Sequence, residues 1–307
     1  MVSQVVTSVE TKSEEDPFFI LYDSRSGSTF LANELSKRFQ VVITPETNFI
    51  TDTLENFGFI TFETEAQLDS LAMTITSDRK FADLKVTYPV LRGLLSNHAP
   101  LTLADAVRII LDYYRAQLVP SNFRYGIKNG KYVHDYREIL RMFPSAKFIG
   151  LIRDGRAVFH SKKRAIASRN GRPMANDPKI AAKRWVQTTT LLRELELDHR
   201  GVLILNYETL IRETERTMAE VAEFLDVKPT QQSDMPRTYE IADRYRPELH
   251  SNVNKAPQAD RITAWQTSLT PNEIDDFESV ARDCLVHEGY QPQYPARSPL
   301  NWKKWFV

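Results

Sequence analysis

Short apolar runs that stop at small or charged residues, each followed by a stretch of helical period, constrain this 307-residue chain more than any other feature. Phe18-Phe19-Ile20-Leu21-Tyr22 ends abruptly at Asp23-Ser24-Arg25-Ser26-Gly27-Ser28-Thr29, and residues 30–38 then carry helix-compatible side chains. Runs of the same kind stand at 41–44, 146–152 and 202–207, and residues 124–128 also read as a strand. Such a run between turn signals reads as a strand buried on both faces, and strands of that type belong to parallel sheets covered by helices. Between them, Val107, Ile110, Leu111, Tyr114 and Leu118 fall on one helical face, and residues 133–142 read as a further helix. Asp177-Pro178 supplies an N-cap and a first-turn proline for a long helix through Trp185, Leu191, Leu192 and Leu195. Met218, Val221, Ala222 and Leu225 make another face, and Thr270-Pro271-Asn272-Glu273 is a capping box whose helix closes at Gly289. Parallel strands need crossover connections, and these are right-handed. The expected fold is therefore α/β in three layers, a mostly parallel sheet of about five strands with helices on both faces. Residues 47–100 carry Phe49, Phe57, Phe59, Phe62, Phe81 and Tyr88 among polar residues without a clear period.

Forty basic residues balance forty acidic ones, which argues against a chain held to nucleic acid or membrane by bulk charge. One cysteine, Cys284, leaves no intrachain disulfide framework and no cysteine-based zinc cluster. The longest apolar stretches are about five residues, far short of the roughly 18 that a membrane span requires. Residues 1–16 alternate valines with polar residues and carry neither a secretory apolar core nor an Arg-rich transit character. The expectation is a cytoplasmic enzyme with a mobile tail at 1–16, a single domain at 17–292 and a second tail at 293–307.

Ligands of open parallel sheets sit at the carboxyl ends of the strands, which directs attention to two segments. The first, Ser24 through Thr29, places a nest of backbone N–H groups, several hydroxyls and one guanidinium at a helix N-terminus, a combination suited to a phosphate or another tetrahedral anion. It has one glycine and no following lysine, so it is not a Walker A loop; a plain Ser-capped helix is the other reading. The second begins at Arg153, where residues 153–172 hold seven basic residues against one acid. Ser161 lies eight positions after Arg153, just over two turns into the following helix, and an arginine fork with a hydroxyl suits phosphate oxygens. A charge run by itself is usually a solvated helix face, and no aromatics are interleaved for nucleic-acid stacking. Two anion sites, one per crossover, describe a nucleotide with phosphates at both ends.

Ser24-Arg25-Ser26-Gly27-Ser28-Thr29-Phe30-Leu31 resembles the 5′-phosphosulfate loop of sulfotransferases that use 3′-phosphoadenylyl sulfate (PAPS), a P-loop-like fold. Ile152-Arg153-Asp154-Gly155-Arg156 through Ser161 resembles that family's 3′-phosphate motif, and the similarity runs on through Leu205-Asn206-Tyr207-Glu208 to Trp265, Leu269-Thr270-Pro271 and Gly289-Tyr290. The motif spacing is most similar to the tyrosylprotein and carbohydrate branches. The resemblance implies PAPS as sulfonate donor without a metal, with Arg25, Ser26, Gly27, Ser28, Thr29, Arg153, Ser161, Tyr207 and Ser251 contacting the nucleotide. The lysine-bearing strand end reads Ile127-Lys128-Asn129-Gly130, so Gly130 stands where cytosolic members carry a histidine base. Glu46 lies 21 positions after Arg25, the spacing at which the tyrosylprotein branch carries a glutamate base. An ordinary glutamate, with a pKa of about 4.3, is ionised at neutral pH and can take a hydroxyl proton; the bland reading is a local cap or salt bridge. Lys128 and Arg25 would then carry the charge of the sulfonate and its bridging oxygen, and the loop 251–260 would close over the adenine and the 3′-phosphate.

Two positions depart from the family pattern: Ala264 replaces a lysine before Trp265, and Ala165 stands where a basic residue follows the 3′-phosphate serine, with Arg164 beside it. His134 and His160 are weaker candidates for the base. The acceptor is expected to be a saccharide or glycolipid hydroxyl, shaped by residues 47–100 and the basic stretch 162–172, with a tyrosyl peptide or a small alcohol as alternatives. A nucleotide- or glycan-binding module without catalysis is the rival from another class, and a kinase is disfavoured by the missing Gly-Lys pair.

Overall fold

The computed structural model describes residues 16–119, 122–166, 171–230 and 259–295. Along the chain run β1 (Phe18–Tyr22), α1 (Ser28–Arg38), β2 (Val41–Ile43), α2 (Phe49–Phe57), β3 (Thr61–Phe62), α3 (Glu65–Ser77), α4 (Tyr88–Ser96), β4 (Leu101–Thr102), α5 (Leu103–Ala116), β5 (Arg124–Lys128) and α6 (Tyr136–Met142). They continue as β6 (Phe148–Ile152), α7 (Gly155–Arg164), α8 (Pro178–Asp198), β7 (Val202–Asn206), α9 (Tyr207–Arg212), α10 (Thr214–Leu225), α11 (Asp260–Thr263), α12 (Trp265–Ser268) and α13 (Pro271–His287). Five strands form a mostly parallel sheet in the order β2-β5-β1-β6-β7, with helices on both faces. A separate two-stranded antiparallel pair joins β3 to β4.

The chain divides into two compact units, one of residues 1–19, 35–147 and 226–242, the other of residues 20–34, 148–225 and 243–307. In the first, β2 lies parallel to β5 with Val41 opposite Arg124 and Ile43 opposite Gly126. Phe19 packs on Phe143 with ring centroids 6.1 Å apart. Thr102 and Asp105 form a capping box at the start of α5, which buries Val107, Ile110, Leu111 and Tyr114, the face that the apolar spacing marks out. The segment without a readable period, 47–100, proves to be α2, β3, α3, a 3-10 turn at Phe81–Leu84 and α4. Its apolar residues are used up by short helices, such as Leu68, Leu71, Ala72 and Ile75 on α3. The helix read from sequence over 133–142 is present as α6, starting at Tyr136 after a 3-10 turn at Gly130–Val133.

In the second unit β6 lies parallel to β7, from Phe148 opposite Val202 to Ile152 opposite Asn206. Every residue of β6 is buried, as a continuous apolar run requires. Trp185 of α8 and Phe159 of α7 each meet Phe277 of α13, with ring centroids 6.2 Å apart in both pairs. Gly155 is what lets α7 begin so close to this cluster: a Cβ there would lie 2.6 Å from the Trp185 ring. Asp177 caps α8 by accepting from the Ile180 N–H at 2.9 Å, with Pro178 in the first turn. Thr270 and Glu273 form the capping box of α13.

Candidate active site

The turn between β1 and α1 belongs to the second unit and has an unusual backbone. Arg25 has φ 75° and Gly27 φ 97°, so two of three consecutive residues lie in the left-handed region that turns backbone N–H groups toward one another. For a residue with a side chain this state is uncommon, and such strain clusters at ligand sites. The Ser26 N–H is donated to the Asp23 carbonyl at 3.1 Å, and Ser26 and Ser28 are buried within the turn. Thr29 follows in the first turn of α1, half-buried. Gly27 is obligatory here on two counts, because a Cβ would also come within 2.4 Å of two ring carbons of Tyr207.

The segment that begins at Arg153 also reaches this turn. The Arg25 Nε donates to the Ser161 hydroxyl of α7 at 3.1 Å. Arg153, leaving β6, donates from Nη1 to the Arg25 carbonyl at 3.0 Å and from Nη2 to the Arg261 carbonyl at 2.8 Å. Its guanidinium lies over the Tyr207 ring, 4.3 Å from the centroid, a cation–π contact strengthened by exclusion of water. Burial pushes the Tyr207 phenol above its ordinary value, opposed by the nearby positive charges of Arg153 and Arg261. Arg25, Gly27, Arg153, Ser161 and Tyr207, all chosen from sequence, thus form one cluster.

Beneath it, Asp154 accepts from the Arg156 N–H at 2.9 Å to cap α7. Its own N–H is donated to Glu208 at 3.1 Å. Arg156 is held by Asp154 at 2.8 Å and by Glu278 of α13 at 2.6 Å, with its guanidinium over Trp265. Burial raises the Glu208 carboxyl, against hydrogen bonds from the Asp154 N–H and Tyr290 hydroxyl that favour its ionised form. These buried groups fix where the first turn of α7 starts, and with it Arg153 and Ser161.

The candidate base lies in the first unit. Glu46, after β2, accepts from the Lys128 ammonium at 2.8 Å, and its other oxygen is 3.7 Å from Lys80. Lys128, at the end of β5, is only 2% exposed, whereas Glu46 retains a quarter of its side-chain surface. Asp78 organises the surroundings: it accepts from the Asn48 N–H at 2.6 Å and from the Lys80 N–H at 3.0 Å. Asn129 adds a bond from its amide to the Thr47 carbonyl.

Ser251 and residues 251–258 of the proposed closing loop lie outside the described residues. Sequence reasoning missed Lys80 and the Asp23–Lys162 pair, whose ammonium meets both carboxylate oxygens at 2.5 and 2.6 Å. Lys162 was legible only as part of a basic run assigned to the acceptor. The structure instead pairs Lys162 with Asp23, and Lys163 with Glu273 at 2.5 Å. Among the described residues no group of three or more His, Cys, Asp or Glu is placed to hold a metal ion, and no helix is long and apolar enough to cross a membrane.

Comparison with known proteins meets the same fold. Among solved structures, the sulfotransferase domain from the curacin biosynthetic pathway superposes with a TM-score of 0.58 at 16% identity, over 90% of this chain and 99% of that one. The sulfotransferase domain of the Synechococcus PCC 7002 olefin synthase gives 0.54 at 21% identity, over 87% and 95%. Mouse sulfotransferase SULT7A1 complexed with PAP gives 0.50 at 10% identity, over 89% and 86%. No curated protein matches by sequence. The sulfotransferase family model matches residues 17–232, and with most of the chain so accounted for, the protein belongs to the sulfotransferase family and is a PAPS-dependent enzyme of that kind.

Proposed function

We propose that the chain moves the sulfonate of PAPS to a hydroxyl of a saccharide or glycolipid, with Glu46 as the base, and releases adenosine 3′,5′-bisphosphate. The observation that carries this reading is the 2.8 Å contact between Lys128 and Glu46. A long, buried lysine side chain delivers its ammonium to a carboxylate that still has exposed surface. A cation for the sulfonate oxygens and an acceptor for a proton thereby occupy one spot. In the reaction the acceptor oxygen attacks sulfur in line, its proton passes to the Glu46 carboxylate, and the sulfur–oxygen bond to the 5′-phosphate breaks with its electron pair leaving on that phosphate. Positioning and electrostatics supply the rate, as in phosphoryl transfer. Arg25 and Lys128 carry the charge that gathers on the sulfonate and the leaving oxygen. Arg153, Ser161 and Tyr207, with Ser251, hold the adenosine 3′-phosphate end, and the turn Ser26-Gly27-Ser28-Thr29 holds the 5′-phosphate.

Incorporation of ³⁵S from labelled PAPS over saccharide, peptide and metabolite pools tests both halves of the proposal. Label in the saccharide or glycolipid pool is expected. Label confined to peptide or metabolites overturns the acceptor, and none in any pool overturns transfer. Glu46→Gln should lower turnover by at least about 100-fold, the usual range for general-base loss, with adenosine bisphosphate affinity changed less than about twofold. Undiminished turnover removes Glu46 from the mechanism.

A further inference from the structure

In the second unit, two buried side-chain nitrogens among the described residues have no hydrogen-bond partner: Nε of Arg153 and Nε2 of His160. Buried polar groups are nearly always satisfied, so each exception requires a reason, and a missing ligand is one. Arg153 already commits both terminal nitrogens to the Arg25 and Arg261 carbonyls. His160 is on α7, directly before Ser161, whose hydroxyl receives Arg25. The orphaned nitrogens therefore belong to the two ends of one eight-residue motif.

The charges acting on His160 are all positive: Arg164 and Lys163 from its own helix, and Arg153 from the end of β6. Carboxylates on neighbouring elements are engaged elsewhere. Glu273 of α13 takes Lys163, Asp23 of the β1–α1 turn takes Lys162, and Asp154 and Glu278 take Arg156. α8 and α11 also pack against α7: α8 brings Lys179, Lys183 and Arg184 in its first turns and its acids only from Glu194 onward, and α11 brings Asp260 and Arg261. A half-buried imidazole among cations, its Nε2 shut off from solvent and without a partner, is suited to an anion.

We propose that His160 is a further ligand of the nucleotide donor, its Nε2 donating to an oxygen of the same 3′-phosphate that Arg153 receives, an assignment that rests on the PAPS reading of this site. Burial, then Arg164, Arg153 and Lys163, hold the imidazole below its ordinary value, so it is neutral in the free protein at pH 7. A phosphate bearing nearly two negative charges reverses that field. His160 then gains a proton as the nucleotide arrives, and the binding it contributes strengthens as pH falls from about 7 toward about 6. Below the free imidazole's own pKa the proton is present in both states and the gain levels off.

The 3′-phosphate titrates near pH 6 as well, so the test must read the histidine itself. The ring-proton resonances of His160, identified by their loss in His160→Gln or His160→Asn, are titrated in three samples: free protein, protein saturated with adenosine 3′,5′-bisphosphate, and protein saturated with adenosine 5′-phosphate. The expected result is a proton affinity at least about tenfold higher with the bisphosphate and little changed with the monophosphate. His160→Gln should weaken the bisphosphate about tenfold and the monophosphate less than twofold. An unchanged midpoint with the bisphosphate, or an equal rise with the monophosphate, overturns the role of His160 and leaves the donor reading standing. Failure of the bisphosphate to bind at millimolar concentration overturns the donor reading and this inference together.

Discussion

At Arg25 the chain places a bulky side chain on a left-handed backbone, with φ 75°, a state that costs about 1–3 kcal/mol when no glycine relieves it. Ser161 and Arg153 hold that state, one through the Arg25 guanidinium and the other through its carbonyl. Gly27 bears the complementary constraint, so Gly27→Ala should weaken adenosine bisphosphate binding by more than about tenfold. Both the clash with the Tyr207 ring and the cost of φ 97° fall on that variant; full binding by Gly27→Ala in calorimetry would refute this account. Arg153→Ala should weaken the same nucleotide about 10- to 100-fold, because it removes the guanidinium proposed to meet the phosphate, along with the bond to the Arg25 carbonyl that shapes the turn and the bond to the Arg261 carbonyl of α11. Residue types made the turn readable from sequence, because small hydroxyls, an arginine and a glycine after an apolar run are a chemical signature. The pairings were not readable. Glu46 and Lys128 are 82 positions apart and Asp23 and Lys162 139, and no local rule joins residues so separated.

Among the elements, α7 is where buried charge sets position. Its first turn hangs on Arg156, bound to Asp154 and to Glu278, and Glu278 also accepts from the Gln293 and Tyr294 N–H groups at 2.9 to 3.0 Å. Truncating one member leaves a buried charge uncompensated, so Glu278→Ala should destabilise by roughly 3–5 kcal/mol, measured by denaturant melting; a loss under about 1 kcal/mol would show the network to be dispensable. Glu208 gives a pH signature. Its carboxyl is raised by burial from the ordinary 4.5, so the folded state holds a proton that the unfolded state releases. Stability from this group is present below pH 4.5 and falls as pH rises through the folded value. Glu208→Gln has no such fall, and its melting temperature relative to the parent should improve between pH 4 and pH 7.5; parallel pH curves would count against it. β1 and β6 could be read nearly to the residue because a strand buried on both faces is an unbroken apolar run; β5, which begins at Arg124 and ends at Lys128, is not such a run. Much of 47–100 could not, since α2 and α4 are nine residues each and β3 two, too short for a period to declare itself; α3 is the exception, its Leu68, Leu71, Ala72 and Ile75 standing at a helical spacing that the sequence does show.

For the molecule as a whole, nucleotide binding should be visible as stability. A ligand at one hundred times its dissociation constant adds about 2.7 kcal/mol to the folded state. Adenosine 3′,5′-bisphosphate should therefore raise the melting temperature by a few degrees, and ATP with Mg²⁺ should not match it. Equal stabilisation by ATP with Mg²⁺ would favour a kinase. Amide-exchange protection by the bisphosphate should concentrate in 20–34 and 148–225, the segments that carry Arg25, Arg153, Ser161 and Tyr207. The indole N–H of Trp185 is donated to the Arg153 carbonyl at 2.9 Å inside the aromatic core. A native chromophore is thereby wired to the arginine proposed to receive the nucleotide. Its emission should change when that arginine is engaged, giving a label-free optical gauge of occupancy that Trp185→Phe would silence.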